Sequence, residues 1–222
     1  MNLDVKSLPS YSKNEEIINT FSHVLGFIFS LGVLLFFIIF NIVNHLSFSY
    51  MIPYYVYVLS MMIVFGVSSL YHCSKFESKY RAVLRIIDHS DIYLFVFGTY
   101  LPLCLYGISN TPIAITAIIL ESVFMTMGII LNIIPINNKI LKLIAYIIYM
   151  IDGWLMIFFY PFGIGMDFYV FLFILLGGVV YSIGAITYAI GKKRKYFHSL
   201  FHIFVVLGAV TQFVGIYLLL IC

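Results

Sequence analysis

Five of the six histidines in this 222-residue chain gather at one end of its hydrophobic segments. His72 closes the second segment, while His198 and His202 open the last one, four residues apart. Side chains at i and i+4 project from one helix face, so both imidazoles can reach a single cation. His72, from another segment, adds a third nitrogen. Three imidazoles with one open position is a frequent catalytic zinc arrangement, so one Zn2+ per chain is the expected cofactor. Asp88 stands at the start of the third segment, where it can orient a water or serve as general base. Ser68, one turn before His72 on the same face, can hydrogen-bond that water or a substrate oxygen. Alone, the HxxxH pair reads as interfacial groups facing water and lipid headgroups. His72, Ser68 and Asp88 at matched depth tip the balance towards a site, because ionisable groups are costly in lipid.

A second constellation flanks the first. Glu16, Asn19 and His23 are spaced three and four apart, which aligns them on one helix face. They read equally as a network at the start of the first segment or as outer support for the site. His89 is another candidate for outer support, although adjacency to Asp88 turns it about 100° away around a helix. His45 falls at the opposite end and reads as solvated. Glu121 and Asp152 lie in mid-segment with no lysine or arginine to pair with, which favours a structural hydrogen-bonded role over a proton or ion path.

The elements that must position these groups follow from composition. The chain is 63% hydrophobic and 9% charged, a balance that a soluble domain of this size cannot bury. A helix needs about 20 apolar residues to cross about 30 Å of hydrocarbon. Seven segments qualify, at 21–43, 51–71, 86–107, 112–134, 141–161, 168–190 and 198–221, after a short polar segment at 1–20. All twelve Lys and Arg fall before the first segment or at the second–third, fourth–fifth and sixth–seventh connections. The positive-inside rule therefore predicts an all-α, seven-helix integral membrane bundle, with a cytoplasmic N-terminus and an external C-terminus. The residues 21–222 form one transmembrane domain, and the short connections leave no room for a second. No cleavable leader is expected ahead of the first segment. The net charge of +3 resides in the cytoplasmic connections and calls for no nucleic-acid partner. Cys73, Cys104 and Cys222 are too scattered to suggest a disulfide framework. Gly177, Gly184 and Gly191 recur every seven residues in the sixth segment, a pattern for close helix packing. The aromatic residues are expected to face lipid for the most part.

The residues then match a known pattern. Glu16-x-x-Asn19-x-x-Ser22-His23, Ser68-x-x-x-His72, Asp88-His89-Ser90 leading to Gly98-Thr99-Tyr100-x-Pro102, Gly177-Gly178-x-x-Tyr181-x-x-Gly184 and His198-x-x-x-His202 occur in order along nearly the whole chain. In these features the chain resembles the hemolysin III proteins, bacterial relatives of the progestin and adipoQ receptor family. The resemblance implies a seven-helix bundle with zinc held by His72, His198 and His202 near the cytoplasmic side. It also implies that Asp88 contacts the metal through water and that Ser68 sits beside the site. The wider superfamily is similar to zinc-dependent lipid amide hydrolases, including alkaline ceramidases. Asp152 departs from the pattern, standing where relatives more often carry an apolar residue.

The leading expectation is a zinc-dependent hydrolase of a lipid amide or ester in the plasma membrane, with membrane lipid as partner and source of substrate. A receptor-like regulator of membrane lipid state, with structural zinc, is the second reading. A pore-forming cytolysin is the third, opposed by the lack of a continuous polar stripe. A transporter built on Glu121 and Asp152 lacks visible inverted repeats or broken helices. The residues specify no oligomer.

Overall fold

The computed structural model describes residues 8–134, 147–159, 165–191 and 194–222, and every regular element among them is helical. The helices are α1 (Lys13–Val43), α2 (Phe48–Cys73), α3 (Lys79–Pro102), α4 (Thr111–Ile133), α5 (Leu155–Phe159), α6 (Phe168–Gly191) and α7 (Phe197–Ile221). Five helical stretches among the described residues are long and apolar enough to cross a membrane: Lys13–Val43, Phe48–Cys73, Thr111–Ile133, Phe168–Ile190 and Phe197–Ile221. The segment expected at 86–107 is helical throughout, but it ends in a π-helical turn at Leu103–Gly107 that follows Pro102. Of the segment expected at 141–161, residues 141–146 and 160–161 lie outside the described residues. Its remainder is helical at 147–153, turns at Trp154 and resumes as α5.

Capping explains where the long helices begin. Ser12 accepts from the Glu15 amide, and the Glu15 carboxylate accepts from the Ser12 amide, a reciprocal capping box. That box starts α1 at Lys13, eight residues before the apolar run at 21, and so makes Glu16 and Asn19 helical. Ser47, Ser78 and Asn110 cap α2, α3 and α4 in the same side-chain-to-amide manner. The α7 helix begins differently. Tyr196 sits at φ 64°, a left-handed conformation costly for a side-chain-bearing residue, and no side chain caps it. Its amide instead donates to Glu15 Oε1 at 2.8 Å, so the first turn of α1 holds the start of α7.

The burial pattern is that of a bundle in lipid. On α1, the stripe Asn19, Ser22, His23, Gly26, Ser30, Val33 and Phe37 is buried, while Phe21, Ile28, Leu35 and Ile42 are exposed. Small and polar residues thus face the neighbouring helices and large apolar ones face outward, because lipid solvates the latter as well as a protein core does. The α1 helix packs between α2 and α7, α2 meets α3, α3 meets α4, and α6 meets α7 most extensively. At that last contact a Cβ on Gly177 would lie 2.3 Å from Gln212 Cγ and 3.2 Å from the Gly208 carbonyl oxygen. The close packing expected of the sixth segment is present there. The aromatic expectation is corrected for part of the set: Phe37, Tyr54, Tyr57 and Phe65 are fully buried and build the core with Met51 and Met61. Rings are large enough to fill the space that small residues leave between helices. The three cysteines are unpaired.

Candidate metal centre

The end of α2 and the start of α7 bring His72, His198 and His202 together. One ring nitrogen from each lies within 4.8 Å of the others, and all three side chains are buried. The i, i+4 spacing on α7 sets the Nε2 atoms of His198 and His202 3.0 Å apart. His72 closes the triangle from α2, its ring centroid 4.7 Å from that of His202 and 5.3 Å from that of His198.

Outer contacts select which nitrogens face inward. His72 Nδ1 lies 2.7 Å from Glu16 Oε2, and a carboxylate accepts only, so Nδ1 carries the proton. The lone pair is then on Nε2, which is buried without a hydrogen-bond partner among the described residues. A buried imine nitrogen with nothing to accept from is costly unless a cation takes its lone pair. Asn19 Nδ2 lies 3.4 Å from the same Nδ1. His202 Nδ1 meets His23 Nε2 in a short contact, and with His23 as the acceptor there the His202 lone pair is left on Nε2. The residues present therefore fit a divalent metal: three neutral nitrogens converge, and two have an orienting partner behind them.

The support extends outward. Glu16 also receives Arg81 Nη2, and Arg81, only 1% exposed, donates through Nη1 to the Ser74 carbonyl at 2.8 Å. The Arg81 guanidinium lies 4.8 Å from the Tyr71 ring centroid, within cation–π range. Tyr11, just ahead of α1, stacks flat on His198 with centroids 4.4 Å apart and an interplanar angle of 9°. Burial pushes the Tyr11 phenol above the ordinary tyrosine range, with Tyr71 adding to the effect, so it stays a neutral donor. Neither Tyr11 nor Arg81 stood out in the sequence. A tyrosine in a polar N-terminal stretch and an arginine in a basic connection carry no local signal of where they dock.

The remaining expected residues fall as follows. Asp88 lies within electrostatic reach of His72 and beside Ser68, and its Oδ2 is 3.5 Å from His89 Nδ1. Ser68 Oγ is buried without a geometrically sound hydrogen-bond partner among the described residues. His89 packs on Asp88, is one-third exposed, and lies within electrostatic reach of His198 and His202. Glu121 and Asp152, both 1% exposed, lie within reach of each other in the interior, and their oxygens have no hydrogen-bond partner of sound geometry among the described residues.

The protein is thus an all-helical integral membrane protein with a buried three-histidine cluster able to hold a metal. Residues 11–213 match the family described as Haemolysin-III related. The chain is 32% identical over 204 residues to the Hemolysin-3 homolog of Bacillus subtilis (strain 168), covering 91% of this chain and 93% of that protein. It is also 32% identical over 200 residues to Hemolysin-3 of Bacillus cereus, covering 90% and 89% respectively. The chain belongs to the haemolysin III-related family.

Proposed function

We propose that this protein is a seven-span plasma-membrane hydrolase that uses one zinc ion to cleave a lipid amide or ester. The observation that carries the reading is the buried Nε2 of His72, without a partner among the described residues, converging with two histidines of α7 beside an acid and a hydroxyl. His72, His198 and His202 would hold the ion, which when bound supplies Lewis acidity at a carbonyl and lowers the pKa of water. Glu16 and His23 hold the imidazole rings in the tautomers that keep Nε2 free. Asp88 accepts a proton from the attacking water and returns it to the leaving amine or alcohol. Ser68 donates to the carbonyl oxygen as negative charge develops there. The basic residues Lys75, Lys79, Arg81, Arg85, Arg194 and Lys195 share the site's end of the chain's helices, which supports a cytoplasmic-facing centre and seven crossings.

Metal content of purified protein, measured by mass spectrometry beside the variant His198→Ala/His202→Ala, tests the reading first. About one zinc per chain, lost in the variant, supports it. No metal in either protein after chelator-free purification sinks it. Asp88→Asn then separates roles: zinc retained with turnover of a lipid amide abolished supports catalysis. A second reading, a regulator of lipid state with structural zinc, draws on the depth of the cluster, whose three histidines are at most 7% exposed. In that case Asp88→Asn leaves function intact. The pore-forming alternative rests on the relatives' names alone.

A further inference from the structure

Two arginines one turn apart on α3 have opposite situations. Arg81 is spent on Glu16, the Ser74 carbonyl and the Tyr71 ring. Arg85, four residues on and so on the same helix face, has no carboxylate within ion-pair distance among the described residues. Its Nε is buried and has no hydrogen-bond partner there. The nearest acid along the helix, Asp88, pairs with His89. The Arg85 charge nonetheless acts on both Tyr11 and Tyr71. Those two rings line the histidine cluster: Tyr11 stacks on His198, and the Tyr71 and His72 ring centroids are 4.6 Å apart. A guanidinium is a rigid fork of donors matched to oxyanions, and a half-buried one without a counter-ion is an incomplete pair. Arg85 also stands within two turns of the start of α3, at the end of the helices that carries the histidine cluster.

We propose that Arg85 is the docking group for an oxyanion, specifically a phosphate, carried by the ligand that approaches the histidine cluster past Tyr11. This deepens the hydrolase reading by assigning its substrate a negatively charged head, and it rests on that reading for the ligand's presence beside the histidines. Tyr11 and Tyr71 flank the anion, and the Tyr11 phenol is available as a second, neutral donor.

The test is binding to purified full-length protein in detergent, using tritiated lysophosphatidic acid and the monoacylglycerol with the same acyl chain. Wild type is expected to prefer the phosphate-bearing lipid by about ten- to a hundredfold, the range for a hydrogen bond to a charged group. Arg85→Gln should lose that preference while binding monoacylglycerol normally, and Arg85→Lys should keep part of it. Lys79→Gln, an exposed cation on the first turn of α3, should change nothing. Inorganic phosphate as competitor distinguishes the sources: displacement of the lipid at millimolar phosphate points to the free ion, and no displacement to a lipid-borne phosphate. The proposal is overturned if wild type shows no preference, if Arg85→Gln retains it, or if Lys79→Gln loses it equally. The wild-type comparison stands even if Arg85→Gln fails to fold. His72→Ala, measured in parallel, keeps the two readings apart. Preference retained without metal or turnover leaves the anion site standing even where the hydrolase reading falls.

Discussion

Replacing Glu16 with alanine probes the centre without touching a metal-facing nitrogen. Two contacts are lost at once: the 2.7 Å partner of His72 Nδ1 and the carboxylate that receives Arg81. Losing an orienting partner behind a metal-binding histidine costs about 10- to 100-fold in affinity, or about 1.4–2.8 kcal/mol. Stranding Arg81 is a separate cost. Removing one member of a buried ion pair destabilises by about 3–5 kcal/mol, and Arg81 at 1% exposure would keep the Ser74 carbonyl and the Tyr71 and Phe76 rings but no carboxylate among the described residues. The Glu16 side chain is 20% exposed, so water re-enters and the lower figure, about 3 kcal/mol, is expected. The double variant Glu16→Ala/Arg81→Met removes both charges and should recover most of the stability but none of the metal affinity. Affinity is read by competition with a zinc-chelating dye, and stability by thermal unfolding in the same detergent. Zinc binding by Glu16→Ala as tight as wild type would refute the tautomer argument. So would recovery of affinity together with stability in the double variant, since the loss would then be general unfolding.

Three further outcomes are expected. His23→Ala removes the support behind His202 and should weaken zinc binding about tenfold in the dye competition, with Glu16 contacts unchanged. Tyr11→Ala uncovers His198, so stopped-flow transfer of zinc to a soluble chelator should accelerate several-fold more than equilibrium affinity falls. Gly98→Ala would place a Cβ 2.3 Å from Ser60 Oγ and 3.3 Å from the Val56 carbonyl oxygen, costing about 1–3 kcal/mol in thermal unfolding. Ser60→Ala in that background should recover part of the loss.

Spacing made the local half of the centre legible. The His198–His202 pair, the Ser68–His72 pair and the Glu16–Asn19–His23 face each follow from helical periodicity, and each is found on one face of its helix. Matched depth at one end of the segments then joined α2 to α7. What periodicity does not carry is rotation of one helix about its axis relative to another. The Glu16–His72 and His23–His202 contacts span 56 and 179 residues, and depend on how small residues let α1 settle between its neighbours. The early start of α1 was hidden for a different reason: a capping box is a polar signal, and a hydropathy window reads only the apolar run that follows it. Tyr11 and Arg81 belong to the same class, polar groups placed by tertiary contact. The seven segments were drawn from apolar runs and from the placement of Lys and Arg between them, which treats α3 like the rest. In the structure α3 carries its charges at the site's end and a π turn at the other.

Glu15 reaching across to Tyr196 ties the first helix to a turn 181 residues later in the chain. Two of the three clustered histidines lie beyond that turn. A ribosome making this protein must therefore insert every earlier helix before any ion can find its full set of nitrogens. If the cluster holds the proposed zinc, metal capture would be a late checkpoint in biogenesis, rewarding only chains whose last helix has closed against the first.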